Sequence, residues 1–248
     1  MNETKKLFNV VVGTGRCGTV FMARLLTSMG VPCGHESIFG PQGLLEAQRR
    51  LNNESPITLS ECSTVDVLKN KIPIEKWVDE SSITSESSYM AVPYLNSVEL
   101  EDAKVIHVVR HPLEVVSSFI KDMKYFKNPE PNKQQYWSYE YEVFMWKNLP
   151  ELRNIRTQIE RACYFYVEWN NLIENSVKDG QSLFIKIESD YLNSLCEFLN
   201  VPFRSDYFNN TKINSIKLRK SDFRLADIPD GGCKDGFMSM AERYGYKL

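Results

Sequence analysis

The 248-residue chain has no C-x-x-C pair, only three histidines, almost no net charge and no long hydrophobic run. Its six cysteines (Cys17, Cys33, Cys62, Cys163, Cys196 and Cys233) are scattered. Such spacing signals neither a zinc site nor a disulfide framework, and it fits a reduced, cytoplasmic compartment. A formal net charge of −2 argues against a general nucleic-acid or membrane-surface binder, though it leaves room for a local basic site. No stretch approaches the ~20 apolar residues that span a bilayer, so no membrane span is expected. The N-terminal apolar run breaks into Gly13-Thr14-Gly15, which reads as a first strand and not as a signal peptide. Internal repeats and low-complexity segments are also missing. What is present, 42% hydrophobic and 25% charged residues, suits one globular domain over residues 1–248.

Three apolar runs read as buried strands: Leu7 to Val12, Lys104 to Arg110 and Ser182 to Glu188. Lys76 to Asp79 is a further short candidate. Helical spacing marks Gly18 to Met29, where Phe21, Met22, Leu25, Leu26 and Met29 recur before Gly30. It also marks the segment opened by Pro112, with Val115, Val116, Phe119 and Ile120 on one side. Leu44 to Leu51, Tyr89 to Leu95, most of Gln134 to Val177, Tyr191 to Leu199 and Met238 to Tyr244 read as helical. Gly34 to Gly43 and the serine-crowded Ser81 to Ser88 read as loops. Strands alternating with helices predict a three-layer α/β/α fold around a mainly parallel sheet.

Two stretches carry chemistry. The first is NVVVGTGRCGTVF, Asn9 to Phe21, a strand entering a glycine-rich turn and then a helix. Gly13 and Gly18 have the spacing of the triphosphate loop G-x-x-x-x-G-K-[ST], but Thr19 and Val20 stand where its lysine and metal-binding hydroxyl belong. Exposed loop N–H groups, the positive end of the helix and the guanidinium of Arg16 still suit an oxyanion. Alternatively, Gly13, Gly15 and Gly18 only make a tight turn. The second stretch is VIHVVRHPLEVVSSF. It puts Arg110 at the C-terminal end of a strand, where open α/β sheets bind ligands, and Ser118 eight residues on. Two arginine-bearing sites with no metal-binding carboxylate between them suggest a ligand with two anionic ends.

GTGRCGT followed by VVRHPLEVVSSF resembles the two cofactor signatures of the sulfotransferases that use PAPS (3′-phosphoadenosine 5′-phosphosulfate). The resemblance implies that Gly15, Arg16, Cys17, Gly18, Thr19 and Val20 line the 5′-phosphosulfate site. It implies that Arg110 and Ser118 hold the 3′-phosphate, that PAP is the product, and that no metal takes part. CGHES, Cys33 to Ser37, falls where many members place their catalytic base, and Glu36 lies twenty residues after Arg16, much as in the tyrosylprotein branch. YFYVEWNNLIE (Tyr164 to Glu174) resembles a helix of bacterial members, and SLFIKIESDYLNSLCEFLNVP (Ser182 to Pro202) the family's later strand and helix. The sequence departs from the family pattern at Cys17, where serine is more usual, and at Arg16, where cytosolic members often carry lysine. No lysine stands near Glu86 to Tyr89. The basic run Lys217 to Arg224, with Arg219 and Lys220, is a candidate to close over the 3′-phosphate.

On this reading Arg16 and the loop N–H groups stabilise the leaving group, and Glu36 takes the proton from an acceptor hydroxyl or amine, with His35 the competing base. The aromatic cluster Tyr136, Trp137, Tyr139, Tyr141, Phe144 and Trp146 either lines an acceptor pocket or forms helix core, and composition favours core. His107 reads as a buried strand residue. His111 either assists the 3′-phosphate or caps its helix. A kinase with a degenerate loop and a non-catalytic nucleotide-binding scaffold are the other readings. The acceptor class is open.

Overall fold

The protein is described by a computed structural model over residues 7–37, 39, 83–96, 100, 102–131, 139–207 and 223–248. The expected helix at Leu44 to Leu51, the strand at Lys76 to Asp79, and the residues Tyr136, Trp137, Arg219 and Lys220 lie outside these. The described residues form two compact units. One contains the residues up to Val109 and from Ser176 to Tyr207; the other contains Arg110 to Asn175 and the residues from Phe223 onward.

The first unit is built on five parallel strands: β1 (Asn9–Val12), β2 (Cys33–His35), β3 (Ser85–Ser87), β4 (Lys104–Val109) and β5 (Ser182–Lys186), in the spatial order β2-β3-β1-β4-β5. This is the expected α/β fold with a parallel sheet. The chain goes from β1 outward to β2, returns through β3, and crosses β1 to reach β4 and β5. Connections leaving β1 and β4 therefore run to opposite sides, which makes their C-terminal ends the switch point where such sheets take ligands.

Two strands fall where loops are expected. Cys33–His35 is β2 rather than the start of a loop, and Ser85–Ser87 is β3 in the interior of the sheet. β2 is too short, and carries a glycine, to show a period. β3 has no apolar residue. It survives burial because its side chains find partners: Asn9 Nδ2 donates to Ser85 Oγ at 2.9 Å, and Ser87 Oγ donates to the Thr19 carbonyl at 2.8 Å.

One face of the sheet packs Val11, Ile106, Val108 and Ile185 against Met22, Leu25 and Leu26 of helix α1 (Thr19–Ser28), and against Leu192 and Leu195 of a second helix, Leu192–Leu199, which is α5 in chain order. Complete burial of each such side chain contributes ~1.5–3 kcal/mol. Met22, Leu25, Leu26 and Met29 sit one, three or four residues apart, so they form a single stripe. α1 stops because Gly30 takes a left-handed turn (φ 83°), with Val31 N–H on the Leu26 carbonyl and Gly30 N–H on that of Thr27. Asn200 (φ 57°) ends α5 in the same way.

The second unit is helical: α2 (Pro112–Lys121), α3 (Tyr139–Asn148), α4 (Gln158–Ser176) and α6 (Gly232–Arg243), with a 3₁₀ turn at Pro150–Asn154. α6 begins six residues earlier than the expected Met238, because Gly231 supplies its start at φ 137°. The unit's core is aromatic. Phe165 stacks on Trp169 at 5.0 Å and meets Phe119 and Phe126 edge-on or tilted, while Phe144 packs on Trp169. Arg161 is buried there and donates to the carbonyls of Phe126 and Ile155. Its five hydrogen bonds to the four carbonyls of Phe126, Lys127, Ile155 and Arg156 hold the turn whose Lys124 and Phe126 are left-handed. No helix among the described residues is long and apolar enough to cross a membrane.

Candidate active site

The loop after β1 is shaped by what it cannot accommodate. A Cβ on Gly13 would lie 2.4 Å from both Cys17 Sγ and the Val108 carbonyl oxygen, so only glycine lets the loop close onto β4. Because that carbonyl belongs to a strand it cannot yield. Gly13→Ala is expected to cost ~1–3 kcal/mol or more and to lower the melting temperature by roughly 2–12 °C. A calorimetric melt unchanged from wild type would contradict this packing.

Gly15 (φ 74°), Arg16 (φ 56°) and Gly18 (φ 107°) are all left-handed, a backbone state used in the concave N–H nests that bind anions. Gly18 caps α1 with no side-chain hydrogen bond, and the first turn holds no acidic residue. The positive end of α1 therefore meets no acidic side chain of its own first turn and suits an anion. Arg16 is exposed; a non-glycine residue in this conformation costs roughly 1–2 kcal/mol, a strain that cradle geometry accounts for. Cys17 is buried, its sulfur in the apolar cluster of α1, so its contribution to the loop is its backbone N–H. Val20 is 38% exposed beside it.

Thr19 and His35 meet across the loop, with Thr19 Oγ1 3.1 Å from His35 Nε2. Burial, and then the nearby Arg24 charge, push the His35 pKa down to about 4. The unfolded chain takes up this proton below about 6.5 and the folded chain only below about 4, so between those values the unfolded state binds more protons. Stability from this residue is therefore complete above pH 6.5 and is lost as pH falls toward 4. Urea denaturation midpoints should drop across that window, and the drop should shrink in His35→Gln; an identical pH dependence in the variant would rule His35 out as its source.

Glu36 follows β2 at φ 52°, with its N–H on the Ser87 carbonyl at 3.3 Å. Beneath it runs the polar strand. Glu86 and Ser88 are fully buried; Glu86 Oε1 accepts from Phe39 N–H at 3.4 Å, and Ser88 Oγ donates to the Phe39 carbonyl at 2.6 Å. The Ser88 hydroxyl also accepts from Met90 N–H, opening the 3₁₀ helix Tyr89–Tyr94. Sequence reasoning missed this group because serine usually marks turns. The signal it could have used is four consecutive hydrogen-bonding side chains, Ser85 to Ser88, with partners on both faces.

In the second unit, Arg110 is the first residue after β4 in the chain and lies 3.7 Å from Glu114, each side chain 25% exposed. Ser118 is buried on α2 and donates to Asp122 Oδ2 at 2.7 Å. Each candidate phosphate ligand thus faces a carboxylate four residues on. His111 occupies the cap position of α2, but its side chain makes no capping bond. Its ring packs edge-on to Tyr246 at 5.3 Å, with Nε2 3.3 Å from the Lys247 carbonyl. Gly245 (φ 67°) makes the turn that brings this C-terminal stretch back, a feature not anticipated from sequence. Tyr141, Phe144 and Trp146 are buried, as the core reading of the aromatic cluster expects. His107 is buried in β4, edge-on to Phe184.

A parallel sheet whose switch point carries a glycine loop at a helix start defines an α/β protein whose β1 loop has the form of an anion site. The sequence profile described as a sulfotransferase domain matches residues 10–214, and the chain belongs to that family. Its fold is similar to that of the sulfotransferase domain from the curacin biosynthetic pathway, at 16% identity and TM-score 0.51, covering 98% of this chain and 99% of that one. It is also similar to the sulfotransferase domain from the Synechococcus PCC 7002 olefin synthase, at 14% identity and TM-score 0.52, covering 99% of this chain and 98% of that one. No curated protein matches the chain.

Proposed function

We propose that the chain is a cytoplasmic, single-domain transferase that moves a sulfuryl group from PAPS to a hydroxyl or amine by in-line displacement. The observation that carries this is the β1 loop: a left-handed glycine cradle at a helix start capped by Gly18, with Arg16 exposed in it and Thr19-Val20 in place of a lysine and a metal-binding Ser/Thr. That set fits a phosphosulfate. PAPS, when bound, supplies an activated sulfuryl group on a phosphate leaving group.

The chain's own residues do the rest. Backbone N–H groups from Gly15 to Val20 and the guanidinium of Arg16 hold the 5′ end and offset the charge that builds on the leaving oxygen. Arg110 and Ser118 take the 3′-phosphate, with Arg219 and Lys220 as further cations for it. Glu36 accepts the acceptor's proton. His35 is the weaker candidate for that task, because its Nε2 is engaged with Thr19 and burial disfavours its charged form. In the neutral state it steadies the first residue of α1. A sulfuryl group carries less charge than a phosphoryl group, which lessens the need for a divalent cation.

The test is transfer of sulfur-35 label from PAPS to a panel of alcohols, phenols, amines, sugars and peptides, in EDTA. Labelled product supports the reading. Phosphoryl transfer from Mg²⁺-ATP, with no sulfur transfer, would replace it with a kinase.

A further inference from the structure

We propose that Glu86 and Ser88 are positioning residues for the transfer step, gripping the backbone of Phe39 at both its amide and its carbonyl so that the chain around Glu36 is fixed. This rests on the reading of Glu36 as the base.

The geometry behind it is a two-ended tether. Before the turn, Glu36 is tied to β3 through its own N–H on the Ser87 carbonyl. Three residues later, Phe39 is tied twice more, by Glu86 of β3 at the N–H and by Ser88, the residue just after β3, at the carbonyl. Phe39 is itself buried, and its ring stacks on Tyr94 at 5.4 Å and 29°, so the 3₁₀ helix that follows β3 adds a third hold. Glu36 sits between these anchors in a left-handed conformation (φ 52°) that an untethered glutamate would leave.

Glu86 also lies close under the turn. A Cβ on Gly34 would be 2.6 Å from Glu86 Oε2 and 2.7 Å from Ser37 Oγ, so the missing side chain at Gly34 lets the carboxylate and Ser37 crowd over β2. A carboxylate in the interior of a sheet is a poor choice for stability alone, since an apolar residue of the same volume would carry no desolvation penalty. Its use here is to accept from a backbone amide whose residue must not move. A base displaced by about 1 Å loses on the order of 10²-fold in rate, so tethering of this kind has a kinetic effect out of proportion to its bonds.

The experiment compares Ser88→Ala, Ser88→Thr, Glu86→Leu and Glu86→Gln with wild type. It reads hydrogen exchange at the Phe39 amide, affinity for PAP, and PAP release from PAPS with phenol as acceptor. Ser88→Ala and Glu86→Leu should speed exchange at Phe39 and lower kcat by roughly 10–100-fold, with PAP affinity within about twofold of wild type. Ser88→Thr keeps the hydroxyl and Glu86→Gln keeps an acceptor oxygen, so both should recover most of the rate. In a Glu36→Gln background, followed by single-turnover release, Ser88→Ala should add less than about a twofold loss, because the residue it positions is gone. Folded variants with unchanged kcat would overturn the proposal, and so would an equal fold-loss in the Glu36→Gln background, which marks a structural role. A wild type that transfers sulfur to no member of the acceptor panel, phenol included, would instead sink the sulfotransfer reading, and this proposal with it; insensitive clamp variants of an active enzyme sink the proposal alone.

Discussion

Glu36→Gln is expected to lower kcat by ~10²–10⁴-fold, the range a positioned general base contributes, while leaving the dissociation constant for PAP within about twofold. Glutamine keeps the volume and the hydrogen-bonding shape of the residue and removes only its ability to take a proton. Because Glu36 lies at the end of β2 and not in the glycine loop, donor binding has no reason to follow its loss. Steady-state rates beside PAP titrations separate the two effects. If the variant turns over at the wild-type rate, Glu36 is not the base, and His35 becomes the residue to test despite its bond to Thr19.

Arg110→Ala has the second large expected effect, on affinity. A hydrogen bond to a charged group is worth ~1.5–3 kcal/mol, so losing the arginine proposed for the 3′-phosphate should weaken PAP by roughly 10–150-fold. The contact with Glu114 is long, at 3.7 Å, and both side chains are a quarter exposed; pairs of this kind are worth about 0–1 kcal/mol. Arg110→Lys should fall between, since an ammonium keeps the charge but not the fork. Calorimetry on the three proteins decides the matter: equal affinities would remove Arg110 from the site.

The legible part of the fold was the part that buries apolar side chains with a regular period. β1, β4 and β5 are apolar runs, and α1, α2 and α5 repeat hydrophobic residues at helical spacing, so their order gave the α/β class. β2 and β3 do not announce themselves, because CGH has one apolar side chain, Cys33, and SES has none and is buried against polar partners. Position in the sheet overrode what those residues prefer elsewhere.

The same division runs through the candidate site. Gly13, Arg16, Gly18 and Arg110 are visible because their chemistry is local: a turn, a charge, a strand end. The orientation of Cys17 into the core, the tie between Thr19 and His35, and the hold of Glu86 and Ser88 on Phe39 join residues up to 49 positions apart or depend on packing, and no local pattern encodes them. Neither is the return of Tyr246 and Lys247 to His111, which follows from one left-handed glycine after α6.

The central claim is that this glycine cradle serves a phosphosulfate donor and not a metal-bound triphosphate. Calorimetric titration of the wild-type protein with PAP and with ATP, each in EDTA and each with Mg²⁺, tests it most directly. The account predicts tight PAP binding that is the same in EDTA and in Mg²⁺, with ATP much weaker under both conditions. Preferential binding of ATP that appears only with Mg²⁺ would contradict it.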